Sequence, residues 1–286
     1  MIVREAVAAA ATRLREAGSD SPELDAEVLL GHVMGRSRAG VVARRPDALG
    51  LEHAAAFEEL VIRRARREPV SLLLGCREFR SLDFRVNAHV LAPRPETEAL
   101  VEAALRHIDA GARRVVDVGT GSGAVAISLA AARAEVAELQ LLAVDLSAPA
   151  LGVARRNATH LLPAADGVAF FRGSLVDALA DASLDLVVSN PPYLSATELA
   201  AAPPELAFEP ELALLGGDLD GLGVFRELVV ASRRVLCSEG GLLVEIGAPQ
   251  GEVAARVARE EGFGTVAVLP DLAGRDRVLQ ARAPKA

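Results

Sequence analysis

The chain of 286 residues has no Trp, a single Tyr, two Cys and a single Lys at Lys285. No uncharged apolar run reaches the roughly 18 residues that a membrane-crossing helix needs, so none is expected. The first residues, from Met1 to Gly18, carry charges inside their apolar part and read as an amphipathic helix, not a signal peptide. Cys76 and Cys237 lie far apart in sequence, which suits a reducing, cytoplasmic setting. The five His are scattered without ligand spacing, so no metal site is expected. An excess of positive charge is also missing. The formal net charge is −8, which weighs against a non-specific nucleic-acid binder. Repeats and low-complexity tails are absent. The preponderance of Arg over Lys is explained as well by genome base composition as by function.

Half of the residues are apolar, enough for a large domain and a small one. Residues 1 to about 70 read as helices. Ala6, Ala10, Leu14 and Ala17 recur near helical spacing. Ser21-Pro22-Glu23 starts a second helix, with Pro in its first turn. A third spans about Leu51 to Arg67, where Arg63, Arg64, Arg66 and Arg67 form either a solvated helix end or a docking patch for an acidic partner. From 75 to 95 the spacing predicts a β-hairpin, with Asp83 and Asn87 as turn formers. Pro93-Arg94-Pro95-Glu96-Thr97-Glu98 precedes a helix that Thr97 could N-cap. Arg94, Glu96 and Glu98 either belong to that helix start or border an active site.

From 113 onward, strand, turn and helix repeat, the pattern of an α/β sheet. Arg114–Val118 is a buried strand, Gly119-Thr120-Gly121-Ser122-Gly123 a Gly-rich turn, and Ala124–Ala132 a helix. The second strand ends in Asp145, about twenty residues past the loop, where an acid can take both hydroxyls of a ribose. Asp145 could instead cap the next helix. A third strand, 168–171, leads to Ser174 and Leu175 at the expected adenine edge. A fourth, Asp185–Ser189, stops at Asn190-Pro191-Pro192-Tyr193, where two prolines remove two backbone donors. The Asn190 side-chain carbonyl and a free backbone carbonyl at Pro191 can together accept both hydrogens of a planar –NH2. Such acceptors stabilise the positive charge that grows on a weakly nucleophilic nitrogen as it attacks. Tyr193 offers an aromatic face for a flat amide or base. Loop, acid and Asn-Pro-Pro-Tyr all fall at C-terminal strand ends around one switch point, which points to S-adenosylmethionine as cofactor. Ser195–Gly221 is long and follows Tyr193 directly, so it reads as part of a substrate wall.

At these residues the sequence resembles the HemK/PrmC family, protein-(glutamine-N5) methyltransferases that act on peptide-chain release factors. The matches are Asp25-Ala26-Glu27, Glu68-Pro69, Glu78-Phe79, the run from Val90 to Glu98, Asp117 to Gly123, and Asn190 to Tyr193. Phe208-Glu209-Pro210, Glu245-Ile246-Gly247 and Asp271 to Arg277 match further on. The family pattern departs at Ser71-Leu72-Leu73, where an aromatic is usual, and at Ser174, where an acid is common.

The resemblance implies a Rossmann-like seven-stranded methyltransferase sheet over 96–286, a helical substrate-recognition domain over 1–74 and a β-hairpin linker over 75–95. It assigns the cofactor to Gly119, Thr120, Gly121, Ser122, Gly123, Asp145, Ser174, Leu175 and Asn190. It assigns the substrate amide to Asn190, Pro191, Pro192 and Tyr193, with Asn190, Pro191 and Tyr193 catalytic. The expected partner is a release factor, met by a cytoplasmic monomer with no direct nucleic-acid or membrane partner. An adenine-N6 nucleic-acid methyltransferase, using the same Asn-Pro-Pro-Tyr chemistry on a flipped base, is the competing expectation.

Overall fold

The computed structural model describes residues 1–163 and 167–285, in two compact units. The first holds Met1–Cys76 together with Pro203–Phe208. Its helices are α1 (Val3–Glu16), α2 (Pro22–Val33), α3 (Arg38–Ala43), α4 (Leu51–Ala65) and α5 (Val70–Leu74). Leu14, Leu29, Leu30, Phe57 and Val61 pack into one core among them. The short helices α3 and α5 carry too few turns to show a helical period, and the sequence reading does not contain them.

The arginine cluster at the end of α4 divides: Arg63 and Arg66 are exposed, as a solvated helix end would have them, whereas Arg64 is buried and Arg67 half-buried. Arg64 is buried and bonds Asp25 (Nε–Oδ2 2.8 Å) and Glu205 (Nη1–Oε1 3.0 Å). Arg67 bonds Glu205 and the carbonyls of Ala17 and Gly18, and Arg63 pairs with Glu68. A buried guanidinium needs carboxylates and carbonyls to satisfy its fork of donors, as Arg64 has; Arg66 is exposed and makes no such pairing among the described residues.

The second unit, Arg77–Ala202 with Glu209–Ala286, is the sheet. It is entered through the hairpin β1 (Cys76–Phe79) and β2 (Leu82–Arg85). The turn is Arg80-Ser81, both at positive φ (51° and 62°), which matches the twist of a two-residue hairpin. Asp83, expected in the turn, lies in β2.

The remaining elements are α6 (Glu98–Asp109), β3 (Arg114–Val118), α7 (Ala124–Ala132), β4 (Gln140–Asp145), α8 (Ala148–Leu161), β5 (Ala169–Arg172), β6 (Leu184–Ser189), α9 (Ala196–Ala200), α10 (Gly223–Val235), β7 (Leu236–Glu245), α11 (Gly251–Glu260), β8 (Thr265–Pro270) and β9 (Asp276–Arg282). The sheet runs β5-β4-β3-β6-β7-β9-β8. The first five strands are parallel and β9 is antiparallel to both neighbours. Side chains alternate between two cores, as the pleat requires. Leu186, Val188 and Leu243 join α6 and α7 on one face; Val187, Leu242 and Val244 join α10 and α11 on the other. Burial on both faces is why these strands read as continuous apolar runs. Because β4 leaves β3 on one side and β6 adjoins it on the other, the chain order reverses at β3, and a crevice opens at the C-terminal strand ends.

Among the described residues no helix is long and apolar enough to cross a membrane, and no group of three or more His, Cys, Asp and Glu could hold a metal ion.

Candidate active site

The turn after β3 is built from what its neighbours leave open. Gly119 and Gly121 hold φ of +71° and +55°, where a side chain is strained. A Cβ at Gly119 would meet nothing within 4 Å, and one at Gly121 only the Gly119 carbonyl at 3.9 Å. The two positions therefore border empty space, a cradle for a ligand. Gly123 differs. A Cβ there would stand 2.6 Å from the Ile127 side chain, so it is a packing glycine at the head of α7 and lies outside the cavity wall.

The loop is pinned from below. The N–H groups of Gly119 and Thr120 donate to the Val144 carbonyl, and the Thr120 hydroxyl donates to Asp117 (2.7 Å). Asp117 is buried and its carboxyl is pushed up to about 6, chiefly by desolvation. The Ser122 carbonyl accepts from Asn157 Nδ2 (2.8 Å), and the same fully buried Asn157 holds the backbone of Arg85 at both N–H and C=O. Asn157 carries no signal in a single sequence, since an Asn in a helix usually faces solvent.

Asp145, at the end of β4, accepts from the Gly121 N–H (2.8 Å) and, through its other oxygen, from the Ser147 N–H (2.8 Å). Each oxygen keeps a free lone pair, and the carboxylate is held in one orientation at the cavity wall. Capping and ligand binding are thus compatible. Ser147, with its side chain on the Ala150 N–H, is the residue that caps α8.

The cavity at these strand ends has a volume of about 300 Å³. Gly119, Thr120, Gly121, Ser122, Asp145, Ser174, Leu175, Asn190, Pro191 and Pro192 all line it. Tyr193 does not. Its ring packs by Gly247, its carbonyl accepts from Gln250 Nε2 (2.9 Å), and burial pushes its phenol up to about 12. Gln250 also bonds the Asp220 carbonyl and accepts from the Gly247 N–H, so one amide ties three loops.

Thr97 makes no side-chain cap for α6. It is 3 % exposed, and its hydroxyl oxygen accepts from Asn190 Nδ2 (3.2 Å). Beside it lies Glu245, the last residue of β7, which is 1 % exposed. Desolvation pushes this carboxyl up to about 7, against the pull of the Thr97 hydroxyl and of Arg277 and Arg94. The Thr97 hydroxyl is close enough to matter electrostatically, yet neither Glu245 oxygen has a well-formed hydrogen bond among the described residues. An acid within the apolar run Leu242-Leu243-Val244-Glu245-Ile246 is the signal that reasoning from sequence could have used.

The other matched runs meet around this point. Arg94 pairs with buried Glu209, which also accepts from the Ala92 N–H. Arg277 donates to the Ile246 carbonyl (3.0 Å) and lies 3.6 Å from Asp271. Of the long segment after Tyr193, Pro210, Leu212, Ala213 and Leu215 line the cavity, whereas Pro203–Phe208 belongs to the helical unit.

A doubly wound sheet with a Gly-rich cradle, an oriented acid and an Asn-Pro-Pro-Tyr turn at one crevice defines a Rossmann-like methyltransferase domain. Family models agree: that of the PrmC N-terminal domain matches residues 5–75, and that of the methyltransferase small domain matches 96–203. The release factor glutamine methyltransferase of Cereibacter sphaeroides is 43% identical over 290 residues, covering 100% of both chains. That of Moorella thermoacetica is 40% identical over 283 residues, covering 98% of each. In fold the chain is also like the ribosomal protein L11 methylase of Lactobacillus delbrueckii subsp. bulgaricus, with TM-score 0.50, 21% identity, and 71% of this chain and 86% of that one covered. The chain belongs to the release factor glutamine methyltransferase family. Family and fold imply S-adenosylmethionine as the methyl donor.

Proposed function

We propose that this protein transfers a methyl group from S-adenosylmethionine to the side-chain amide nitrogen of the glutamine in the Gly-Gly-Gln motif of a peptide-chain release factor, modulating translation termination. The observation that carries the reading is the Asn190–Thr97 hydrogen bond. It engages the amide's NH2 end, and Asn190 lines the cavity, so Oδ1 is read as the acceptor offered there. The residues fit the cofactor: the open space at Gly119 and Gly121 accommodates its close approach, and Asp145 keeps lone pairs for ribose hydroxyls. When bound, the cofactor supplies an electrophilic methyl group. Asn190 Oδ1 and the Pro191 carbonyl take the two hydrogens of the glutamine amide and stabilise the charge that grows on its nitrogen. Holding that nitrogen in place supplies much of the rate, and the proton can leave after transfer, so no strong base is required.

Tyr193, outside the cavity wall, is read as support for the turn that carries Asn190 and Pro191, with its ring available to the amide plane only if the turn moves. Residues 1–74 are read as the domain that recognises the release factor, 75–95 as linker and 96–286 as the catalytic domain. The protein is read as a cytoplasmic monomer without nucleic-acid or membrane partners; the net charge of −8 supports the nucleic-acid part of that reading.

The test is methyl transfer from labelled S-adenosylmethionine to a release factor, its Gln→Ala variant, DNA and RNA in parallel. Label on the unmodified factor alone is the expected result. Label on nucleic acid would replace this substrate with an exocyclic base amine.

A further inference from the structure

We infer that Glu245 and Thr97 are positioning residues that set which end of the Asn190 amide faces the cavity. The inference rests on the amide-binding role proposed for Asn190. An Asn side chain has one accepting and one donating end of nearly the same shape, so its neighbours decide which is presented. Thr97 Oγ1 receives the Nδ2 end. A hydroxyl has one proton, and that of Thr97 has two possible takers, Asn190 and Glu245. While Glu245 is a carboxylate it can only accept, and neither of its buried oxygens has a hydrogen-bond partner among the described residues, so the nearby Thr97 hydroxyl is the donor it can draw on. The Thr97 proton then goes to Glu245, its oxygen is left to accept, and Asn190 must offer Nδ2 to it. Oδ1 is turned outward to meet an incoming –NH2.

With Glu245 protonated, the order reverses. The acid has a proton of its own to give to Thr97, Thr97 gives its proton to Asn190, and the stable orientation puts Nδ2 outward, donor against donor. The groups that bear on Glu245 are Arg277 from β9, Arg94 and Glu96 from the turn before α6, and Tyr193 from the turn after β6. Arg277 and Arg94 favour the carboxylate; Glu96 and burial favour the acid. The balance places the change near neutral pH, where it would be read as an acid limb in turnover.

The experiment compares the full-length wild type with Thr97→Val, Thr97→Ser and Glu245→Gln. Turnover and KM on a release factor are measured from pH 6 to 9 (a range centred on roughly neutral), cofactor-product affinity by calorimetry, and the Glu245 carboxyl titration by carbon NMR. Thr97→Val keeps the volume and loses the relay. Its kcat should fall about tenfold or more, with cofactor-product affinity within about threefold. Thr97→Ser should restore turnover. Glu245→Gln, whose carbonyl still accepts the Thr97 proton but cannot titrate, should erase the acid limb. Wild-type turnover in Thr97→Val, an equal loss of cofactor-product affinity in that variant, or an acid limb kept by Glu245→Gln would each overturn the inference. No transfer to the release factor by the wild type would instead refute the substrate reading. The carboxyl titration still decides the relay in that case. Thr97→Val should raise the Glu245 midpoint, and an unmoved midpoint means that the two side chains are not coupled.

Discussion

Glu245→Gln should make the protein more stable at alkaline pH while leaving it near wild type in acid. The Glu245 carboxyl sits at 1 % exposure with its proton held up to about pH 7, against an ordinary value of 4.5. Each tenfold preference for the proton is worth about 1.4 kcal/mol, so this rise corresponds to roughly 3 kcal/mol. The sign follows from which state holds the proton. Between pH 4.5 and 7 the folded chain keeps it and the unfolded chain releases it. The folded state is therefore favoured by this group below about pH 4.5, and the advantage is lost as pH rises through 7. A glutamine is neutral throughout and has no such loss. The assay is urea unfolding of both proteins in steps from about pH 5, near the lower end of that window, to about pH 8.5, beyond its upper end. The stability difference should grow by roughly 3 kcal/mol in favour of the variant across that span. A difference that stays flat with pH would refute the reasoning, because it would mean that Glu245 is already charged when folded at pH 5. The stabilised variant is also the one expected to lose its acid limb in turnover, so stability and the control of Asn190 would be opposed at one residue.

Other outcomes follow from the site and the helical unit. Asn190→Ala should cut turnover by about 100-fold or more while cofactor affinity, measured by calorimetry, stays within about threefold. Asp145→Ala should weaken cofactor binding by about tenfold or more in the same titration, since it removes the acid and frees the Gly121 and Ser147 N–H groups. Gly121→Ala should cost roughly 1 kcal/mol in urea unfolding from its φ of +55°. The added methyl would also enter the ligand cradle and weaken cofactor binding. Glu205→Ala should destabilise the chain by roughly 1 to 3 kcal/mol, because buried Arg64 and half-buried Arg67 lose a shared partner. Wild-type unfolding in that variant would show the pairing to be idle.

The parts of the fold legible in sequence are those where one physical rule acts alone. Strands β3, β4 and β6 are buried on both faces, so they read as apolar runs, and the residues that end them stand out as polar interruptions. That is why the sequence alone puts the Gly-rich turn, Asp145 and Asn190 at one crevice. Helix α7 is readable to the residue, as Ala124–Ala132. What escaped depends on a second element supplying the answer. Thr97 has the composition and place of an N-cap, and only the approach of β6 gives its hydroxyl to Asn190. The Arg63–Arg67 run has the composition of a wet helix end, and only Asp25 and Glu205 draw Arg64 and Arg67 of it inward. Arg80 and Ser81 are not the Asn and Gly that positive φ favours, and the twist of two short strands holds them there. Gly119, Gly121 and Gly123 look alike in sequence. Space around each distinguishes the two that border the cavity from the one that lets α7 pack.

The hexapeptide Pro203–Phe208 has a consequence for anyone who would treat the helical part as an interchangeable module. It lies in sequence between β6 and α10, yet its Glu205 is held by two arginines of α4 and its end. The chain passes from the sheet unit into the helical unit and back again a hundred residues and more after first leaving it. A cut at Cys76–Arg77 therefore does not yield two self-sufficient halves. The amino-terminal fragment would lack one of the two carboxylates that bond Arg64, and the remainder would carry the hexapeptide without the arginines that hold it. A chimaera that borrows a relative's helices must borrow this loop with them, and should express poorly until it does.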